Sequence, residues 1–194
     1  MFERVLVALD GSENAWKALK HAVEVAKGVG AKRIGLVHVR PSLDTLAYAY
    51  GYETVGMPGW SFAERLNEGI RQAEQRSLEL LREAERYVRE QGLTGVEVVL
   101  HPEEGPVVRR IIDTARREGY DLLVLGSRGM GRAAGLLLGS VSQSVAANLP
   151  CSVLIVDSRT REERAQRPGS GEGARTEVSA GRGGSGEAGA GHGA

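Results

Sequence analysis

Five short apolar runs recur along the chain, separated by longer segments of mixed character. Most are apolar without a break, whereas a strand with one face in water alternates apolar and polar positions. Unbroken runs of this length are typical of parallel strands that are covered on both faces. We therefore predict strands at 4–9, 33–39, 96–100, 121–125 and 152–156.

The segments between these runs carry apolar residues at the spacing of helix faces. The first helix follows the first strand, and a long helix is predicted over 61–91, ending at Gly92. A third begins at Pro106, a residue favoured at the first helical position. A fourth begins near Ser140, where Ser140 and Gln143 have the spacing of a capping box.

Strands and helices thus alternate in the order βαβαβαβαβ. With right-handed crossovers, this order predicts an α/β fold, a three-layer doubly wound sandwich around a five-stranded parallel sheet, which is Rossmann-like. The connection 41–59 is longer than usual and carries Tyr48, Tyr50 and Tyr52. A connection of this length is either functional or simply mobile.

The end of the chain differs from the rest in composition. Residues 158–194 include ten glycines, six arginines and five glutamates, and Val178 is their only sizeable apolar residue. Such a segment buries too little apolar surface to offset the entropy cost of ordering its backbone. We predict one domain at 1–157 and a disordered tail at 158–194.

Charge and cysteine content narrow the class of protein. The chain has zero net charge, which becomes minus one without the tail, so it lacks the basic character of nucleic-acid-binding proteins. A single cysteine, Cys151, cannot form an internal disulfide, which suits a reducing compartment. No apolar run is long enough to cross a bilayer. These features predict a cytoplasmic protein that binds neither nucleic acid nor membranes.

Two segments that follow strands carry candidate chemistry. Asp10 follows the first strand, and the glycine-rich segment 126–140 follows the fourth. Glycine permits tight turns and leaves room for a phosphate, and the amides at a helix N-terminus attract anions. Ser140 and Ser142 would add hydroxyl donors, and Arg128 and Arg132 would add positive charge.

Other interpretations of this segment remain open on glycine content alone. It could be a plain flexible connection, with Ser140 serving only to cap its helix. It is not a Walker A loop, because no Gly-Lys-Ser/Thr follows at the required spacing. The dinucleotide fingerprint also fails, because position 134 is not glycine and the segment follows the fourth strand.

The spacing of four residues resembles a known signature. Gly126-x2-Gly129-x9-Gly139-Ser140 is similar to the G-x2-G-x9-G-S/T motif of ATP-binding universal stress proteins. The opening Val-Leu-Val-Ala-Leu-Asp-Gly-Ser, the Leu-Val-His-Val of the second strand and the Asn-Leu-Pro-Cys-Ser-Val-Leu-Ile-Val near the end also resemble that family. The likeness covers 1–157 and implies an adenine nucleotide alpha hydrolase-like fold.

The resemblance implies a role for each matching position. The four motif residues would hold ribose and phosphates, mostly through backbone amides, and Val141 and Ser142 would complete the anion site. Asp10 would lie near the ribose, or near a phosphate-bound Mg²⁺ or Mn²⁺ through water. Val39 would offer backbone groups to the adenine edge, and Ala8 would line the base pocket. The family also implies a homodimer, here through the last strand.

Three functions are consistent with these residues. The first is an ATP-binding stress-response module that acts on a protein partner the sequence does not identify, without fast chemistry. The second is a slow ATPase, for which Asp10 is the only obvious carboxylate. The third is an adenylating enzyme on a related fold, which usually carries motifs that are missing here. His38 and His101 have the character of structural residues, and no catalytic residue or metal site is predicted.

Overall fold

The sheet contains five strands, all parallel, in a computed structural model that describes residues 1–53, 59–129 and 138–157, with the side chains of 49–61 excluded. The strands are β1 (Arg4–Ala8), β2 (Arg33–Arg40), β3 (Glu97–Glu104), β4 (Leu122–Gly126) and β5 (Ser152–Val156). They are ordered β3-β2-β1-β4-β5. The predicted parallel sheet and its five strands are confirmed.

The described ranges contain five helices: α1 (Glu13–Val29), α2 (Leu43–Glu53), α3 (Gly59–Glu90), α4 (Val107–Arg117) and α5 (Ser140–Ala147). The Ser12 side chain caps α1 by accepting the Ala15 amide at 3.2 Å. At its other end Gly30 takes a left-handed conformation with φ of 67°, which a residue with a side chain adopts only at a cost. Among the described residues, no helix combines the length and apolar character that crossing a bilayer requires.

Alternate residues of the central strands supply two apolar layers. Val5 and Val7 point to the face covered by α1 and α3, and Leu6 and Leu123 point to the face covered by α4 and α5. All four are fully buried. Burial on both faces explains why these strands are unbroken apolar runs and confirms the doubly wound arrangement.

The long connection after β2 holds a helix that the sequence analysis missed. α2 begins where the Ser42 carbonyl accepts the Leu46 amide at 3.0 Å and the Ser42 hydroxyl contacts Thr45 at 3.0 Å. Ser42 followed by Asp44 is a helix-start signal, but α2 lacks a regular apolar stripe to go with it. The interpretation of 41–59 as a loop is therefore wrong over Leu43–Glu53.

β3 also continues past its predicted end at position 100. Pro102 suggests a strand end, because proline donates no ladder hydrogen bond. β3 is an edge strand, and the amides of Glu97 and Gly105 donate to carbonyls on the β2 side at 2.9 and 3.0 Å. Because successive residues alternate in direction, the nitrogen of Pro102 points away from β2. The strand therefore passes through Pro102 without losing a bond. The predicted tail at 158–194 lies outside the described residues.

A buried polar contact joins β3 to the turn before β4. His101 is 8% exposed, and its Nε2 lies 2.7 Å from the Tyr120 hydroxyl. Gly35 on β2 makes room for that hydroxyl, because a side chain there would collide with the Tyr120 ring. Burial lowers the pKa of His101, with Glu118 acting weakly in the other direction, and raises the pKa of Tyr120 to about 12. Both residues therefore remain neutral near pH 7.

These shifts predict that the domain loses stability in mild acid. Burial also lowers the pKa of His38, so both histidines take up a proton more readily in the unfolded chain, where the pKa is about 6.5. The two neutral histidines contribute fully to the free energy of unfolding when the pH is above the pKa of the unfolded chain. That contribution declines as the pH falls towards their lower pKa values in the folded chain. We expect urea denaturation to give a lower free energy of unfolding at pH 5.5 than at pH 7.5. His101→Gln should reduce that difference, and an unchanged difference would contradict the assignment.

Candidate functional site

The winding of the sheet reverses between β1 and β4, which are neighbours although they are far apart in the chain. The connection after β1 leads to one face and the connection after β4 to the other. A crevice forms at the carboxyl ends of such a strand pair, and ligands of open α/β sheets bind there. Asp10 lies two residues past the end of β1 and Gly126 is the last residue of β4, so the candidate residues meet at this crevice.

A cavity of about 780 Å³ occupies the crevice. Its volume falls within the range of small-molecule sites, about 300–1,000 Å³. Every residue predicted to contact the nucleotide lines it: Ala8, Asp10, Val39, Gly126, Gly129, Gly139, Ser140, Val141 and Ser142. The fold thus brings residues that are more than 130 positions apart in the sequence to one wall. Arg132, the other predicted source of positive charge, lies outside the described residues.

Helix α5 points its N-terminus into this cavity and begins at Ser140, as predicted, but its cap differs from the prediction. Gly139 is the N-cap residue, with φ of −72° and ψ of 164°, and its carbonyl accepts the Gln143 amide at 2.9 Å. Ser140 is therefore the first helical residue, and no side chain caps α5. The predicted capping box of Ser140 and Gln143 is wrong, because Gln143 lies one position too far along the helix.

The first turn of α5 leaves amides for a ligand. The N–H groups of Ser140, Val141 and Ser142 precede the first intrahelical bond, and no backbone acceptor serves them among the described residues. The Gly139 amide is not available, because it donates to the Ser127 carbonyl at 2.7 Å. Gly139 therefore does not offer the amide that its predicted role as a phosphate donor requires.

The hydroxyl of Ser142 is also occupied. It is buried and donates to the Gly126 carbonyl at 2.7 Å, which ties the first turn of α5 to the end of β4. A hydroxyl has one hydrogen, so Ser142 cannot donate it to a phosphate at the same time. Only its backbone amide is left open, whereas the Ser140 side chain is exposed.

Glycines in the loop after β4 allow close contacts with the end of β1 and the start of α1. A side chain at Gly129 would collide with the Asp10 carboxylate, and one at Gly126 would lie 2.9 Å from the Asn14 carbonyl. The Asn14 amide group donates to the Arg128 carbonyl at 3.2 Å. The motif glycines thus hold the loop against Asp10 and α1, a function of packing that the sequence analysis did not assign.

Three ionisable side chains lie on the described part of the wall: Asp10, His38 and Arg128. The Nε of Arg128 is buried and has no hydrogen-bond partner among the described residues. Asp10 accepts the Ser12 amide at 2.9 Å, and His38 contacts the Ser77 hydroxyl at 2.9 Å. Within the described ranges no group of three His, Cys, Asp or Glu residues could hold a metal ion.

The other end of the cavity is apolar. Val39, Pro41, Val107, Ile111 and Leu125 line it. Val107 and Ile111 were missed by the sequence analysis, although the start of the helix after the third strand must lie at this edge of the sheet. A flat apolar ligand group would bury its faces there.

The backbone of Val39 faces this apolar end. The Val37 carbonyl accepts the Leu9 amide at 2.8 Å on the β1 side, and the Arg40 carbonyl accepts the Gly105 amide at 3.0 Å on the β3 side. Successive residues of a strand direct their peptide groups to alternate neighbours, so Val39 directs its own towards β1. Because β1 ends at Ala8, the Val39 donor and acceptor face the cavity.

Comparison with known proteins identifies the family. The family model of universal stress proteins matches residues 1–157. The chain belongs to the universal stress protein family. The universal stress protein YxiE of Bacillus subtilis is 33% identical over 157 residues, which cover 80% of this chain and 99% of that protein. The match ends where the predicted tail begins.

Solved universal stress proteins share the fold. The structure of the protein MJ0577 superimposes with a TM-score of 0.66 at 25% identity, covering 82% of this chain and 99% of that one. A universal stress protein solved in complex with cAMP has a TM-score of 0.50 at 25% identity, covering 81% of this chain and 98% of that one. The doubly wound fold predicted from the sequence is thus the fold of these proteins.

The contact between Gly129 and Asp10 predicts an energetic coupling. Gly129→Ala should push the Asp10 carboxylate away from the Ser12 amide and lower the free energy of unfolding by about 1 kcal/mol. In an Asp10→Ala background the same change should cost little, because the obstructing carboxylate is gone. Urea denaturation of the four proteins measures the coupling, with Gly28→Ala, where a side chain meets nothing within 4 Å, as the control. Additive effects would show that the contact is absent.

Proposed function

We propose that this universal stress protein binds ATP in the crevice between β1 and β4. The observation that carries the proposal is the N-terminus of α5, whose amides at Ser140, Val141 and Ser142 open into the cavity. Three adjacent amides and the helix dipole form an anion site. The triphosphate binds there.

Arg128 supports a ligand with several negative charges. Its Nε is buried on the cavity wall without a hydrogen-bond partner among the described residues, which is costly unless a ligand supplies an acceptor. The guanidinium forms strong, directional bonds to phosphate oxygens. Mg²⁺ or Mn²⁺ binds through the phosphates, with Asp10 as the carboxylate nearby, since the described wall has no ligand set of its own.

The apolar end of the cavity supports an adenine base. Apolar side chains contact its faces, and the Val39 amide and carbonyl form a donor and acceptor pair for its edge. A universal stress protein 25% identical to this chain was solved in complex with cAMP, another adenine nucleotide. This relative supports the ligand class, and the open amides of α5 favour a ligand with more phosphate groups.

Binding without fast hydrolysis is the function we propose. Hydrolysis needs a base that positions water, and Asp10 is the only carboxylate on the described wall. The protein then acts as a cytoplasmic stress-response module whose nucleotide state is sensed by a protein partner. ADP formation at high protein concentration that disappears in Asp10→Ala would favour a slow ATPase instead.

Isothermal titration calorimetry tests the phosphate site at Ser140. Ser140→Ala should weaken ATP about tenfold, because a hydrogen bond to a charged group contributes about 1.5 kcal/mol or more. Its unfolding midpoint should change by no more than about 2 °C, because the hydroxyl caps no helix. Ser144→Ala, on the same helix but off the cavity wall, should bind ATP normally.

Gly139→Val tests the packing behind the same site. A Cβ at Gly139 lies 3.4 Å from the Arg128 Cα and 3.5 Å from the Ser127 carbonyl oxygen, so a branched side chain must displace the loop. We expect ATP affinity to fall by at least about tenfold. ATP binding by Gly139→Val at the wild-type level would refute the proposed site.

We also propose that the chain forms a homodimer through β5. β5 is an edge strand, and its residues Val153, Leu154 and Ile155 are only partly buried. The Val156 carbonyl accepts the Ser127 amide at 2.8 Å, so Val153 and Ile155 direct their peptide groups away from β4. An apolar strand with an open edge pairs readily with its copy.

Light scattering across a concentration series tests the dimer. The wild-type chain should have twice the monomer mass, and Val153→Pro should be monomeric because it removes an outward N–H without breaking a bond to β4. Val153→Ala keeps that N–H and should remain dimeric. A wild-type monomer mass at high concentration would contradict the proposal.

A further inference from the structure

One residue outside the cavity connects three of the segments that form its apolar end. Glu104, the last residue of β3, accepts Arg40 at 2.7 Å through one oxygen and the Leu43 amide at 3.2 Å through the other. Its backbone carbonyl accepts the Arg110 Nε at 2.7 Å. The end of β2, the start of α2 and the start of α4 therefore meet at this one residue.

Each of these segments adjoins cavity-lining residues. Arg40 lies between Val39 and Pro41, and Arg110 lies between Val107 and Ile111; all four of these neighbours are on the wall. Leu43 begins α2 two residues after Pro41. Glu104 is absent from the described wall, so it acts on a ligand only through the segments that it holds.

α2 has few other contacts to hold its first turn in place. Among the described residues it packs mainly on α3 with no comparable contact to the sheet, and its Leu43 and Tyr48 are 48% and 69% exposed. Elements with few buried apolar contacts open at low free-energy cost. The Arg40 side chain is 17% exposed and the Glu104 side chain is 40% exposed, so water reaches this pair mainly from the carboxylate side.

We propose that Glu104 is a positioning residue that links occupation of the apolar end of the cavity to the order of α2. A base that contacts Val39 and Pro41 restrains the end of β2, and the Arg40–Glu104–Leu43 connection passes that restraint to the first turn of α2. The exposed residues of α2 then present different surfaces in the empty and occupied states. This inference rests on the proposed function. It identifies α2 as the element whose surface changes when nucleotide binds.

The chain contains a matched control for this carboxylate. Arg33 and Glu97 face each other across the same two strands, with a 2.6 Å contact, seven positions before Arg40 and Glu104. That pair lies at the amino ends of β2 and β3, away from the cavity. Glu97→Ala therefore removes the same kind of ion pair from the same ladder without touching the anchor.

Hydrogen exchange with and without ATP, together with calorimetric titration, tests the proposal. In the wild-type chain, ATP should slow exchange both in the first turn of α2 and at 140–142 in α5. Glu104→Ala should weaken ATP about tenfold and lose the protection of α2, while 140–142 remain protected at saturating ATP. Glu97→Ala should behave as the wild type in both measurements.

A conservative variant covers the case in which Glu104→Ala does not fold. Glu104→Gln has one acceptor oxygen for Arg40 and Leu43 together, so it should retain part of the α2 protection and lose less affinity. If both Glu104 variants kept the wild-type protection of α2, the inference would be overturned and the proposed function would stand. The same would hold if Glu97→Ala lost as much ATP affinity and α2 protection as Glu104→Ala. A wild-type chain that binds no ATP would overturn the proposed function, and this inference with it.

Discussion

The hydrogen bond from the Gly139 amide to the Ser127 carbonyl, at 2.7 Å, determines where α5 begins and which amides its first turn leaves open. It brings the chain back to the end of β4 after the connection between them. With the Ser142 hydroxyl bonded to the Gly126 carbonyl, it holds the helix N-terminus at the crevice. Since a helix always lacks acceptors for its first amides, this placement determines where an anion would bind.

Glycine at the motif positions has two separate consequences. At Gly126 and Gly129 the absence of a side chain permits contact with α1 and with the Asp10 carboxylate. At Gly139, where the backbone is extended with φ of −72°, an added Cβ would come no closer than 3.4 Å to the loop, so only a larger side chain would disturb the packing. The first two motif glycines thus serve packing, and the proposed phosphate contacts come from the amides of Ser140, Val141 and Ser142.

The strands and their parallel arrangement were predictable, because strands that are buried on both faces form unbroken apolar runs in the sequence. The crevice followed from topology, which brings Asp10 and Gly126 together at one edge of the sheet. α2 could not be predicted, because it packs mainly on another helix and has no regular apolar stripe. The start of α5 near Ser140 was predictable, but its N-cap residue was misassigned, because the position of Gly139 depends on Ser127, which is twelve residues away in sequence and adjacent only in the folded chain.

A crystal structure of this chain grown with ATP and Mg²⁺ tests the central claim most directly. We predict phosphate oxygens within hydrogen-bonding distance, about 2.7–3.2 Å, of the Ser140, Val141 and Ser142 amides. The base should lie against Val39, and Arg128 should contact the phosphates. A nucleotide bound elsewhere, or phosphates directed away from the first turn of α5, would contradict the account.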